Sequence, residues 1–153
     1  MDNIEAYFEK DKFIKGQDCP NIRVNGLNIS NLLEIYFNDD SKFHNLIPTI
    51  QGMDNIDEQI ISVERFKPSV GQTVNAPILM CPDDVNFACI AVIAEIQNLG
   101  KSVIWKRFGF DQSEDIPDAI GTNVEWIGGP ELQFDINSYD SLCSFFNSYR
   151  NGN

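Results

Sequence analysis

Phe87-Ala88-Cys89-Ile90-Ala91-Val92-Ile93-Ala94-Glu95-Ile96, then Gln97-Asn98-Leu99-Gly100-Lys101, then Ser102-Val103-Ile104-Trp105-Lys106-Arg107-Phe108-Gly109-Phe110, is the stretch that decides the fold. Its opening is almost wholly apolar, as in a central strand covered on both faces. The residues from Gln97 to Lys101 have the length and chemistry of a hairpin turn. On the return, strict alternation puts Ile104, Phe108 and Phe110 with Lys106 on one face, and Val103 and Trp105 with Arg107 on the other. An antiparallel hairpin, about 87–96 and 102–110, is therefore expected at the centre of a sheet.

Toward the C-terminus, Asp111 to Gly121 reads as a loop carrying Asp111, Glu114, Asp115 and Asp118. Val124 to Ile127 is a short strand closed by Gly128-Gly129-Pro130. After Leu132 to Ile136 a helix is expected over about 138–150, capped by Ser138, with Asp140 in its first turn and Arg150 in its last. Its stripe is Tyr139, Leu142, Phe146 and Tyr149, with Phe145 beside it.

Toward the N-terminus, Ser69 to Pro77 reads as a polar loop, and Pro68 stops whatever precedes it. Ile56, Ile60, Ile61 and Val63 suit a helix or the start of a strand ending at Phe66. Ser30 is placed to cap a helix containing Leu32, Leu33, Ile35, Tyr36 and Phe37, on an apolar arc wide enough to leave a strand open. Asn25-Gly26, after Ile22-Arg23-Val24, is a turn signal, and Gly16 to Pro20 a break. Ile4, Tyr7, Phe8, Phe13 and Ile14 fall near helical spacing. The sum is an α+β fold, an antiparallel sheet with flanking helices, in a single domain spanning 1–153.

The 153 residues include 11 Lys+Arg against 23 Asp+Glu, for a formal charge of −12 and a pI near 4.3. Such a balance argues against nucleic acid and anionic membranes, which demand a basic face. Hydrophobic content of 42% is that of a folded domain. No apolar run approaches the roughly 20 residues of a membrane-spanning helix. Met1-Asp2-Asn3-Ile4-Glu5 has no secretory character, so a cytoplasmic protein is expected.

Cys19, Cys81, Cys89 and Cys143 are too spread for a disulfide scaffold or for the paired ligands of structural zinc. Cys89, within an apolar run, and Cys143, within an aromatic helix, are expected to be buried. A strand between Cys81 and Cys89 would hold their thiols too far apart to bridge.

With one histidine, His44, in no nucleophile motif, Ser–His and Cys–His hydrolysis lose their usual base, and a surface or capping role is expected for it. No glycine-rich phosphate cradle occurs. Pro82-Asp83 with Glu95-Ile96-Gln97 resembles a degenerate divalent-metal nuclease motif, the enzymatic alternative, but Gln97 stands where lysine belongs. Its plain reading is a turn at Asp83-Asp84 and a solvated Glu95. The acids of 111–118 lack the spacing and glycine of a calcium loop. No cofactor, metal ligand or catalytic residue is read from the sequence.

Charge distribution says more. Between Arg107 and Arg150 there is no Lys or Arg, while Asp111, Glu114, Asp115, Asp118, Glu125, Glu131, Asp135 and Asp140 all lie there. An acidic surface serves solubility, and it also gives complementarity to a basic protein. Trp126, Tyr139 and Tyr149 are available as aromatic anchors or core. The candidate partner-binding surface is Asp111, Glu114, Asp115 and Asp118, with Glu125 and Trp126 beside them.

Cys81-Pro82-Asp83-Asp84, the apolar strand reaching Ala94-Glu95, and the returning Val103-Ile104-Trp105-Lys106-Arg107 together resemble the small immunity-type proteins encoded beside bacterial polymorphic toxins, including those of contact-dependent growth inhibition. The closing Asp140-Ser141-Leu142-Cys143-Ser144-Phe145-Phe146 fits the same pattern. The resemblance implies a cytosolic inhibitor that binds one cognate toxin domain, often a basic nuclease, and blocks its active site. It implies no catalytic residues. A structural or accessory protein using an exposed strand edge is the remaining alternative.

Overall fold

The structure is a computed structural model that describes residues 1–10 and 18–152. The expected hairpin is its centre: β6 (Ala91–Asn98) runs antiparallel to β7 (Ser102–Asp111). Between them Asn98 Oδ1 accepts from the Gly100 amide at 2.8 Å, and Gly100 takes φ +90°, a conformation that needs glycine.

Residues 87–90 lie outside the strand. The Phe87 amide donates to Glu58 Oε1 (3.2 Å) and the Ala88 amide to Asn86 Oδ1 (2.8 Å), so side chains take the bonds a ladder would need. Along β6, Val92, Ala94 and Ile96 enter the main apolar cluster and Ala91 and Ile93 a second, which is the two-sided burial expected. On β7 the expected faces are corrected. Ala94 pairs with Phe108 but Ile96 with Trp105, so a bulge at Lys106-Arg107 shifts the phase. Val103, Trp105, Phe108 and Phe110 consequently share the main cluster, while Ile104 is half-buried.

The larger sheet continues with β5 (Thr73–Met80) beside β6, β4 (Ile47–Pro48) beside β5, and β8 (Val124–Gly128) and β9 (Leu132–Asp135) along the far side of β7. β5 takes in Thr73–Pro77, read from sequence as loop, because this polar run pairs with Ile93–Gln97. β8 approaches β7 closely at Gly109: a Cβ there would lie 2.5 Å from the Glu125 carbonyl oxygen and 2.6 Å from Val124.

The N-terminal segment is also corrected. Ile4–Lys10 is β1, not helix, paired residue for residue with β2 (Asp18–Val24); Phe13 and Ile14 of that expectation lie outside the described residues, as does Gly16. Non-local pairing overrides a local spacing that was short and mixed. β2 turns through Asn25 (φ 51°) and Gly26 (φ 83°) into β3 (Leu27–Asn28), the tight hairpin that this dipeptide favours.

Residues left open between helix and strand are helical. α1 (Ile29–Tyr36) is capped by Asn28 Oδ1, while Ser30, the expected cap, instead donates its hydroxyl to the Phe43 carbonyl. α2 (Ile56–Phe66) is capped by Asn55. α3 (Ile136–Arg150) begins earlier than expected because Asp135, not Ser138, accepts from the first-turn amides.

The main cluster is aromatic at its centre. Trp105 meets Phe66, Phe108, Phe134 and Tyr139 with ring centroids 5.1–6.4 Å apart. Its indole donates to the Tyr139 oxygen (3.2 Å), and the Tyr139 hydroxyl donates to the Phe66 carbonyl, so both buried polar groups are satisfied. Tyr139 is therefore core rather than a surface anchor, and Tyr149 is half-buried near Phe8.

Candidate functional site

The acidic loop after β7 is built by one of its own acids. Asp111 Oδ1 accepts from the Ser113 hydroxyl (2.7 Å) and the Gly121 amide (3.0 Å). From the other side Asn75 Nδ2 donates to the Gly121 carbonyl (2.9 Å) and the Arg65 guanidinium to the Ile120 carbonyl (2.6 Å). Burial lowers the Arg65 pKa, and the carboxylates of Asp118, Asp111 and Glu64 oppose the shift. Arg65 thus spends its charge and donors inside the fold.

Pinned in this way, the loop presents the rest outward. Glu114, Asp115 and Asp118 are exposed, with Asp118 in a single 3₁₀ turn (Pro117–Ala119) that packs against α2. Between the turn and the helix lies an open groove of about 400 Å³ lined by Asp57, Ile60, Ile61, Glu64, Ile116, Pro117 and Asp118. Ile60 and Ile116 are 47% and 56% exposed, and Ile56 beside them 68%. The lining contains three carboxylates, four apolar residues and no cation.

Of the surface expected from sequence, Asp118 enters the groove, Glu114 and Asp115 flank it, and Asp111 is committed to holding the loop. Trp126 is half-buried against the second apolar cluster, which also contains Ile61, and the Arg107 guanidinium sits 3.9 Å above its ring. Glu125 is exposed on the adjacent position of β8, so alternation turns it away from Trp126. The α2 contributions, Asp57, Ile60, Ile61 and Glu64, were missed. Their spacing is helical, and it became readable only once the segment was known to be a helix.

The two carboxylates of the enzymatic alternative have separate surroundings. Glu95 is held by Arg107 Nε at 3.2 Å, and Asp83 stands exposed in the loop before β6. Neither joins the group of side chains that converge as metal ligands among the described residues. His44 ends a 3₁₀ turn on the surface, 3.3 Å from Glu34.

The cysteines depart from expectation in two respects. Cys89 is exposed, because residues 82–90 form a turn-rich loop instead of a strand. The same loop folds back so that the Cys81 and Cys89 sulfurs and an Asp84 carboxylate oxygen lie within 4.8 Å of one another, with no disulfide formed. The hydrogen bond with Cys81, ahead of burial and the Asp84 carboxylate, pushes the Cys89 thiol up to about 11. Cys143 is half-buried, and desolvation pushes it up to about 11 as well.

The fold and groove define an acidic α+β protein with an apolar, carboxylate-rimmed recess. Compared with protein-family models, curated proteins and solved structures, the chain matches none. Among the described residues no helix is long and apolar enough to cross a membrane.

Proposed function

We propose that the chain is an immunity-type inhibitor that acts in the cytosol by binding a basic toxin domain and occluding its active site. The observation that carries this reading is the groove between α2 and the Pro117–Ala119 turn, where exposed isoleucines are rimmed by Asp57, Glu64 and Asp118 with no cation among them. An apolar centre inside a polar rim is the anatomy of a protein-binding patch. A rim of one sign selects a partner of the other and speeds the encounter. The hydrogen bonds that pin residues 111–121 hold the acids in place before binding, which lowers the ordering cost of association.

Inhibition here needs no chemistry from the chain. A cationic active-site cleft covered by this face loses both access and its attraction for phosphate. The test is protection. A basic toxin domain captured by this chain from a lysate of its source organism is produced in a sensitive host with and without the chain. Restored growth with the wild type, and lost protection with Asp57→Lys/Glu64→Lys/Asp118→Lys while the variant remains folded, is the expected result. Absence of protection by the wild type, or full protection by the triple variant, contradicts the proposal.

A further inference from the structure

The loop joining β5 to β6 brings together two thiols and a carboxylate, none of which lines the groove. Cys81 follows Met80, the last residue of β5, and Cys89 stands just ahead of Ala91, which pairs with Met80; the ladder therefore holds both ends of the loop side by side. Within the loop, the Val85 amide donates to the Cys81 carbonyl (3.2 Å) and Asn86 Nδ2 to the Asp84 carbonyl (3.0 Å). Phe87 is buried in the second cluster with its amide on Glu58, and Asp54 donates its own amide to the Val85 carbonyl (3.3 Å). The turn is thus fixed from within and from α2, and its fixed form points two sulfurs and a carboxylate at one place.

We infer that Cys81, Asp84 and Cys89 form a zinc-binding site, with its fourth coordination position open to solvent. The three ligand atoms lie within 4.8 Å of one another. A tetrahedral ion with Zn–S bonds of about 2.3 Å and a Zn–O bond of about 2.0 Å sets its ligand atoms roughly 3.5–3.8 Å apart, so closure asks for a movement of no more than about 1.3 Å. Two thiolates and a carboxylate suit Zn²⁺. Ca²⁺ and Mg²⁺ require oxygen donors, and Cu²⁺ prefers tetragonal nitrogen and oxygen sets. Asp84 and Cys89 are exposed and Cys81 half-buried, so the ion has a path in and room for a water ligand. The cysteines stand eight residues apart and form no close-spaced pair. The convergence is produced by the loop, not by a short motif.

The test uses the full chain, reduced and metal-free, titrated with Co²⁺ as a spectroscopic probe and then with Zn²⁺. One equivalent of Co²⁺ is expected to produce thiolate-to-metal charge-transfer absorption and intense visible bands of a four-coordinate ion, both erased by Zn²⁺. Cys81→Ser and Cys89→Ser should each cut the charge-transfer band to about half or less and the double variant should abolish it, Asp84→Asn should weaken binding by about tenfold or more, and Cys143→Ser should leave it unchanged. Circular dichroism of each variant separates loss of ligand from loss of fold. A wild-type protein that takes up no Co²⁺, a band at wild-type intensity in Cys81→Ser or Cys89→Ser, or a band that survives in the double variant overturns the site. An Asp84→Asn protein that binds as the wild type does removes the carboxylate from the set and overturns the assignment as stated.

Discussion

Trp105 and Ile120 stand at the centres of two apolar clusters that are built differently. Around Trp105, aromatic rings from α2, β7, β9 and α3 fill the space, and the polar atoms among them bond to one another. Around Ile120 the apolar group is small: Phe87, Ala91 and Ile93, with Met53, Ile61, Val124 and Trp126 at its margin. There the side chains of Glu58, Arg65, Asn75 and Asp111 anchor the loops by hydrogen bonds to backbone. The first cluster holds the fold together. The second fixes the shape of a surface and leaves Glu114, Asp115 and Asp118 outside it. Strength and presentation are thus separated within one sheet, whose two faces β6 serves with alternate side chains.

The separation can be broken most forcefully at Trp105. Trp105→Ala removes a fully buried ring touching four others, and an expected loss of about 3–5 kcal/mol in urea unfolding would bring the protein close to its limit of stability. Gly109→Ala tests where β7 and β8 touch. Its Cβ would collide with the Glu125 backbone, so a loss of about 1–3 kcal/mol is expected, with altered near-ultraviolet ellipticity from Trp126 as β8 shifts.

Glu58 sharpens the comparison through pH. Burial holds its carboxyl above the ordinary range, with Asp115 adding to the shift and the Phe87 amide opposing it. The folded state therefore holds the Glu58 proton more tightly than the unfolded chain does. That contribution to stability is fully present below the unfolded carboxyl pKa and disappears as pH rises through the folded value. Glu58→Gln keeps an acceptor for Phe87 without the charge. Relative to wild type it should gain stability as pH rises from about 4 to neutrality. A difference between the two proteins that stays constant with pH would contradict this. The smallest effect on stability is expected at the rim: Asp115→Lys/Asp118→Lys should move the unfolding free energy by about 0.5 kcal/mol or less.

The strongest sequence signals were those written in contiguous residues. The Ala91–Asp111 hairpin, the Asn25-Gly26 turn and the Tyr139, Leu142 and Phe146 stripe of α3 were all readable, because a turn dipeptide or an apolar period states itself locally. The faces of β7 were not, since one bulge at Lys106-Arg107 reverses them and leaves no mark in composition. β1 was misread as helix because its partner β2 lies beyond the intervening residues 11–17. Half of the groove was legible as the acidic run 111–118. The other half depended on knowing that Asp57, Ile60, Ile61 and Glu64 share a helix. The meeting of Cys81 with Cys89 depended on a loop where a strand was expected.

The central claim, that the acidic face receives a basic toxin domain, is tested most directly by association kinetics. The chain, as wild type and as Asp115→Lys/Asp118→Lys, is mixed with the basic toxin domain it captures from a lysate of its source organism, at low and at high salt. The account predicts that charge reversal slows association by about tenfold or more at low salt, and that the gap narrows as salt screens the rim. An association rate that is the same for both proteins at low salt would contradict it and place the interface on another face.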